Sequence, residues 1–145
     1  WKNNTKKSFG LVANIGIHFF DILYFLFGEN INNTVNLYNQ KSASGFLEFE
    51  KANVYWFLSI DENYLPSDTK FGIKTHRSIK ISGKSINFTE GFTELHTESY
   101  KNILKGNGFT LDQAVSSIEI VENIKNQKVL VNNLNDVHPL CKEKI

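Results

Sequence analysis

From Leu11 to Phe27 the chain is apolar at almost every position, and the run stops at Gly28. A helix of that character has little polar surface to turn toward water, so the pattern predicts a helix buried around most of its circumference. Gly28 stands where a helix C-terminus favours glycine. Three polar residues interrupt the run. Asn14, His18 and Asp21 follow one another at spacings of four and three, which puts them on one stripe. Leaving such groups buried and unsatisfied costs about 1–3 kcal/mol each. Either an internal hydrogen-bond network or a cap meets them, or the stripe walls a cleft in which His18 faces a ligand and exchanges a proton with it. Spacing alone leaves both readings open.

Lys6 and Lys7 precede the apolar residues Ile15 to Phe27, an order superficially like a signal peptide. That stretch is shorter than the roughly 18 residues a spanning helix needs. His18 and Asp21 interrupt it, and no small-residue cleavage site follows. A buried helix without a membrane span is the expectation.

The rest of the chain reads as strands and then helices. Val35 to Tyr38, Phe46 to Phe49 and Val54 to Ile60 are short β-branched or aromatic runs between polar breaks. Asp61 to Gly72, with Pro66, reads as a loop. Lys74 to Ile81 and Ser85 to Phe88, joined by Ser82-Gly83-Lys84, predict a hairpin. Phe92 to Lys105 has helical stripes and ends at Gly106. Thr110-Leu111-Asp112-Gln113 has the capping-box form and predicts a further helix with Leu111, Ala114, Val115, Ile118 and Val121 as its apolar face. Val129 to Val131 reads as one more short strand. With no βαβ alternation, the fold class is α+β: an open, mainly antiparallel sheet with helices on one face.

Composition narrows the function. The chain has 145 residues, 41% of them hydrophobic and 21% charged. That is enough for one domain with a core, 1–145, and excludes disorder, collagen and coiled coil. Sixteen basic and fifteen acidic residues give a net charge of +1, so no nucleic-acid partner is expected. Cys141 is the only cysteine; it makes no internal disulfide and builds no thiolate zinc site alone, and no metal site is expected. There is no methionine, which suggests a fragment or trimmed chain.

Gly106-Asn107-Gly108 is the only glycine cluster resembling a nucleotide loop. It follows a helix, lacks a third glycine and fails the dinucleotide fingerprint, so no cofactor-binding residue is expected in this chain. Val54 to Leu58 is nearly continuous in apolar character, so both faces of that strand want cover, and helices on one face would leave the other for self-association. Arg77, in a strand, would share a face with Thr75, Ile79 and Ile81, where an arginine needs a carboxylate or phosphate, either a substrate's or an intramolecular one. His96 shares a stripe with Phe92, Tyr100 and Leu104 and is either a core histidine or a substrate contact.

Gly10-Leu11, then Asn14-Ile15-Gly16-Ile17-His18-Phe19-Phe20-Asp21-Ile22-Leu23, and finally Phe27-Gly28 resemble the "GG-L-DIGIH-DLL-W-LG" segment of the glucose–fructose oxidoreductase/inositol dehydrogenase (Gfo/Idh/MocA) family. Trp56-Phe57-Leu58-Ser59-Ile60-Asp61, Tyr64-Leu65-Pro66, Arg77-Ser78-Ile79 and Gly91-Phe92-Thr93-Glu94-Leu95-His96-Thr97 continue the likeness. So do Tyr100, Ile103, Leu104, Gly106, Gly108-Phe109 and Asp112. Together these are similar to the UDP-N-acetylglucosaminuronate 3-dehydrogenase branch, over Trp1 to about Asn126.

The resemblance implies the C-terminal α+β substrate and oligomerisation domain of an NAD- or NADP-dependent sugar oxidoreductase, cytoplasmic and at work in surface-polysaccharide (lipopolysaccharide, O-antigen) synthesis. The cofactor and a catalytic lysine would belong to an N-terminal Rossmann domain outside this chain, so this chain alone would be inactive. The partners implied are a nucleotide sugar and further copies of the chain, as a homodimer or homotetramer through the sheet. The resemblance implies that His18 is catalytic, beside the hydroxyl being oxidised, and that Asn14, Arg77 and His96 bind substrate. Where the family usually has aspartate, position 14 is asparagine, which orients a hydroxyl but cannot act as a base. That substitution also suits a rival reading, a non-catalytic binding or scaffolding module that retains the fold.

Overall fold

The structure, a computed structural model, describes residues 9–90, 93–130 and 137–142. These form two compact units, residues 1–61 with 111–145 and residues 62–110.

The first unit opens with a π-helical turn, Val12–Gly16, that runs directly into α1, Ile17–Phe27. Gly28 ends α1 with φ at 84°, and its N–H donates to Tyr24 O at 2.9 Å. Three antiparallel strands follow in the order β1 (Asn30–Tyr38), β2 (Ser42–Phe49), β3 (Asn53–Ser59). The register pairs Val35 with Gly45 and Gly45 with Trp56, which places all three on one face. Against that face lie α1 and a long helix from later in the chain, Leu111–Asn126. Val12, Phe20, Leu23, Val35, Leu47, Phe49, Trp56, Ile120 and Ile124 close the core. The α+β class, with an antiparallel sheet and its two long helices on one side, is as the sequence indicated. Beyond the long helix, Val129 bridges β1 at Val35 in parallel, and Leu130 N–H donates to Val35 O at 2.8 Å.

Three expectations need correction. The first concerns α1, which is buried on one side only: His18 and Asp21 are exposed, and Phe25 is 86% exposed. Its buried side packs against the sheet and the helix Leu111–Asn126, and the opposite side has no cover among the described residues. Second, the helix Leu111–Asn126 buries Ser117, Ile120, Val121 and Ile124, whereas Leu111, Val115 and Ile118 of the expected face are exposed. That helix carries two apolar stripes, and docking against α1 and β1 chooses between them.

The third correction concerns the far face of the sheet. The short helix Pro139–Lys142 reaches it: His138 stacks on Phe57 with ring centroids 5.6 Å apart, and Cys141, fully buried, hydrogen-bonds to Ser44. Helices therefore cover part of both faces. On the same far face Phe46 packs on Tyr55, which stays 44% exposed.

In the second unit, β4 (Ser78–Ile81) and β5 (Lys84–Asn87) form the expected hairpin. Ser82 and Gly83 both have positive φ, 48° and 81°, the geometry of the turn that matches strand twist. The helix α2 spans Leu95–Leu104, and the helices Leu111–Asn126 and Pro139–Lys142 are then α3 and α4. Phe92 and Val131, each at the end of an expected element, lie outside the described residues. No described residue of the second unit is buried, so its apolar side chains form no core of their own.

Candidate active site

Asn14 and His18 come from one continuous helical segment. The π-turn supplies Asn14, half-buried, and the first turn of α1 supplies His18, exposed. Asp21 lies one turn further on and is also exposed. Among the described residues no hydrogen bond or ion pair ties these three together. Among the described residues there is thus no internal network along this stripe, and His18 and Asp21 are exposed. Behind them the helix is fixed: Phe20 meets Trp56 edge-on at 5.4 Å and 79°, and Leu23 and Val12 are buried. The segment thus carries an exposed imidazole and a half-buried carboxamide on a helix packed against the sheet. An imidazole both accepts and donates protons, and a carboxamide orients a hydroxyl without taking its proton.

Arg77 and His96 belong to the second unit. Arg77 lies one residue before β4 rather than within it. Its backbone N–H donates to Thr89 Oγ1 at 2.9 Å and its Nη1 to Thr89 O at 3.1 Å. Part of its donor set therefore serves the local fold, and Ile81, on its expected face, is 45% exposed instead of core-facing. His96 is the second residue of α2 and is exposed, so it is not a core histidine.

Gly106-Asn107-Gly108 is a helix stop. Gly106 N–H donates to Ile103 O at 3.0 Å and Asn107 N–H to Asn102 O at 2.9 Å, with Gly106 at φ 78°. This pair of bonds closes a helix C-terminus with a left-handed glycine. The amides are thereby used, and the turn follows a helix, so these residues do not fit a dinucleotide's phosphates. The described residues contain no cluster of three or more His, Cys, Asp or Glu able to hold a metal. No helix among them is long and apolar enough to cross a membrane.

The site includes one feature that the sequence reading missed, the π-turn beneath Asn14. No residue pattern marks it, because its signature is a backbone bond from Ile17 N–H to Val12 O.

The exposed His18 thus stands on a helix that packs against an antiparallel sheet. The family described as the oxidoreductase family, C-terminal alpha/beta domain, matches residues 1–61. The chain belongs to this family. It is similar to the WlbA (WbpB) dehydrogenase from Thermus thermophilus. One structure of that protein, in complex with NAD and alpha-ketoglutarate, is 41% identical over 97% of this chain with a TM-score of 0.89. A second, in complex with NAD and UDP-GlcNAcA, is 40% identical over 97% of this chain with the same TM-score. The alignments take in 46% and 45% of those chains, so this chain spans about half their length.

Proposed function

We propose that this chain is the substrate-binding domain of a nicotinamide-dependent dehydrogenase that oxidises a hydroxyl of UDP-N-acetylglucosaminuronic acid. The observation that carries the reading is the combination of 40% identity across nearly the whole chain to a dehydrogenase crystallised with NAD and UDP-GlcNAcA with an exposed His18 on the matching helix.

On this reading His18 accepts the proton of the hydroxyl as the carbon bearing it is oxidised, and Asn14 orients that hydroxyl. Arg77 and His96 contact the charged nucleotide sugar. The nicotinamide, NAD or NADP, accepts the hydride and is held by residues outside this chain. Residues 1–145 act as one C-terminal domain that forms a homodimer or homotetramer through its sheet. The protein works in the cytoplasm in surface-polysaccharide synthesis, where nucleotide sugars are consumed.

The test is NADH formation by the full-length protein with UDP-N-acetylglucosaminuronic acid as substrate. Turnover that depends on this sugar supports the reading. Tight sugar binding with no turnover under any nicotinamide would favour a binding module instead.

A further inference from the structure

The π-turn Val12–Gly16 is a local departure from an otherwise regular helix. The Ile17 N–H reaches back five residues, to Val12 O, where an α-helix reaches four. Such turns are rare and are found mostly as single turns inside α-helices, frequently at functional sites. Here both ends of the turn, Val12 and Gly16, are buried, while residues 13–15, Asn14 among them, are half-buried.

The angular consequence is specific. In a regular α-helix four residues advance roughly 400°, so Asn14 and His18 would point about 40° apart around the axis. A π-turn advances less per residue because each turn holds more residues. The widened turn brings Asn14 closer to direct alignment with His18 along the axis. Both side chains can then address one small group.

Gly16 makes the arrangement possible. Its backbone is ordinary helix, φ −60° and ψ −39°, so no special conformation requires glycine. Space does. A Cβ at position 16 would lie 2.8 Å from Phe20 Cε2 and 2.9 Å from Leu58 Cδ1. Without that methyl, the end of the π-turn seats against β3.

We infer that the π-turn is a positioning device that aligns Asn14 with His18 on a single substrate hydroxyl, with Gly16 as the positioning residue that seats it. This rests on the proposed reading of His18 and Asn14 as substrate contacts.

The test is a double-mutant cycle in the full-length enzyme, read by kcat/KM and by calorimetric affinity for UDP-N-acetylglucosaminuronic acid. In the native chain Asn14→Ala and His18→Asn are expected to be non-additive by about fivefold or more, because both act on one group. Deleting Ala13 restores a regular helix and keeps Asn14 four positions before His18. In that background the two substitutions are expected to become additive. Gly16→Ala keeps the chain length and adds a methyl that presses on the buried Phe20 ring and on Leu58 Cδ1, unseating the turn from β3; as the second variant it is expected to lower stability and to weaken the coupling in the same direction. Coupling that persists unchanged in the folded variants overturns the inference. A His18→Asn enzyme with unchanged turnover in the native background overturns the functional reading beneath it.

Discussion

Gly45 on β2 and Trp56 on β3 face each other across the ladder, and the indole occupies the space where a side chain at 45 would stand. A methyl there would lie 2.9 Å from Trp56 Cζ2 and would collide with the carbonyl oxygen of Thr34. Trp56 in turn meets Phe20 of α1 edge-on. The missing side chain at 45 therefore sets how deeply the helix carrying His18 sits on the sheet.

Gly45→Ala is expected to destabilise this chain by about 2 kcal/mol, within the range for overpacking a well-filled core. Urea unfolding followed by tryptophan fluorescence measures it. A midpoint equal to that of the native chain would show that the sheet and α1 relax freely around the added methyl.

The helix motif, the three strands and the hairpin were legible because their signals are local. Asn14, His18 and Gly28 lie within one short segment, and the Ser82-Gly83 pair names its own turn. Tertiary choices were not legible. Asn30 to Thr34 is polar with poor strand propensity, yet it is strand because Phe49, Glu48 and Leu47 pair with it. Leu111, Val115 and Ile118 suit a buried face as well as Ile120 and Ile124 do, and only docking decides. The far-face cover by α4 depends on His138 and Cys141 meeting Phe57 and Ser44, some ninety residues away in sequence. Arg77 and His96 were read as site residues from dispersed likeness, and both occur in the second unit, away in sequence from the helix motif.

The C-terminal latch on the sheet is expected to weaken in acid. Burial lowers the His138 pKa from its ordinary 6.5, and the Leu140 N–H donates to its Nδ1 at 3.2 Å, a bond that needs a neutral ring there. A histidine whose folded pKa lies below its unfolded one contributes full stability above the unfolded value. That contribution is lost as pH falls through 6.5 toward the folded value, because the unfolded chain takes up the proton first. Unfolding free energies measured on either side of that pH should therefore fall in acid, and His138→Phe, which keeps the stack on Phe57, should flatten this part of the profile. An identical pH dependence in both chains would contradict the assignment.

Cys141 is expected to resist alkylation in the native chain. It is fully buried, and burial pushes its thiol pKa up, against a smaller opposite effect of the Ser44 hydrogen bond. Thiol labelling should be slow in buffer and rapid in denaturant. Rapid labelling in buffer would mean that α4 leaves the sheet readily.

This chain alone is expected to bind NAD too weakly for calorimetric detection at micromolar concentrations, since its one glycine cluster is spent on ending α2. It is also expected to self-associate, because Phe25, Phe71, Leu104, Phe109 and Leu111 are each more than four-fifths exposed. Micromolar NAD affinity, or sedimentation as a monomer at micromolar concentrations, would count against these two expectations respectively.

The most direct measurement is steady-state kinetics of His18→Asn in the full-length enzyme with UDP-N-acetylglucosaminuronic acid. If His18 handles the hydroxyl proton, kcat falls by about 10²-fold or more, the range for a lost acid–base group, while the affinity for the nucleotide sugar and the unfolding midpoint stay near those of the native enzyme. Full turnover by the variant would contradict the central claim and leave His18 as a surface residue of a helix whose chemistry lies elsewhere.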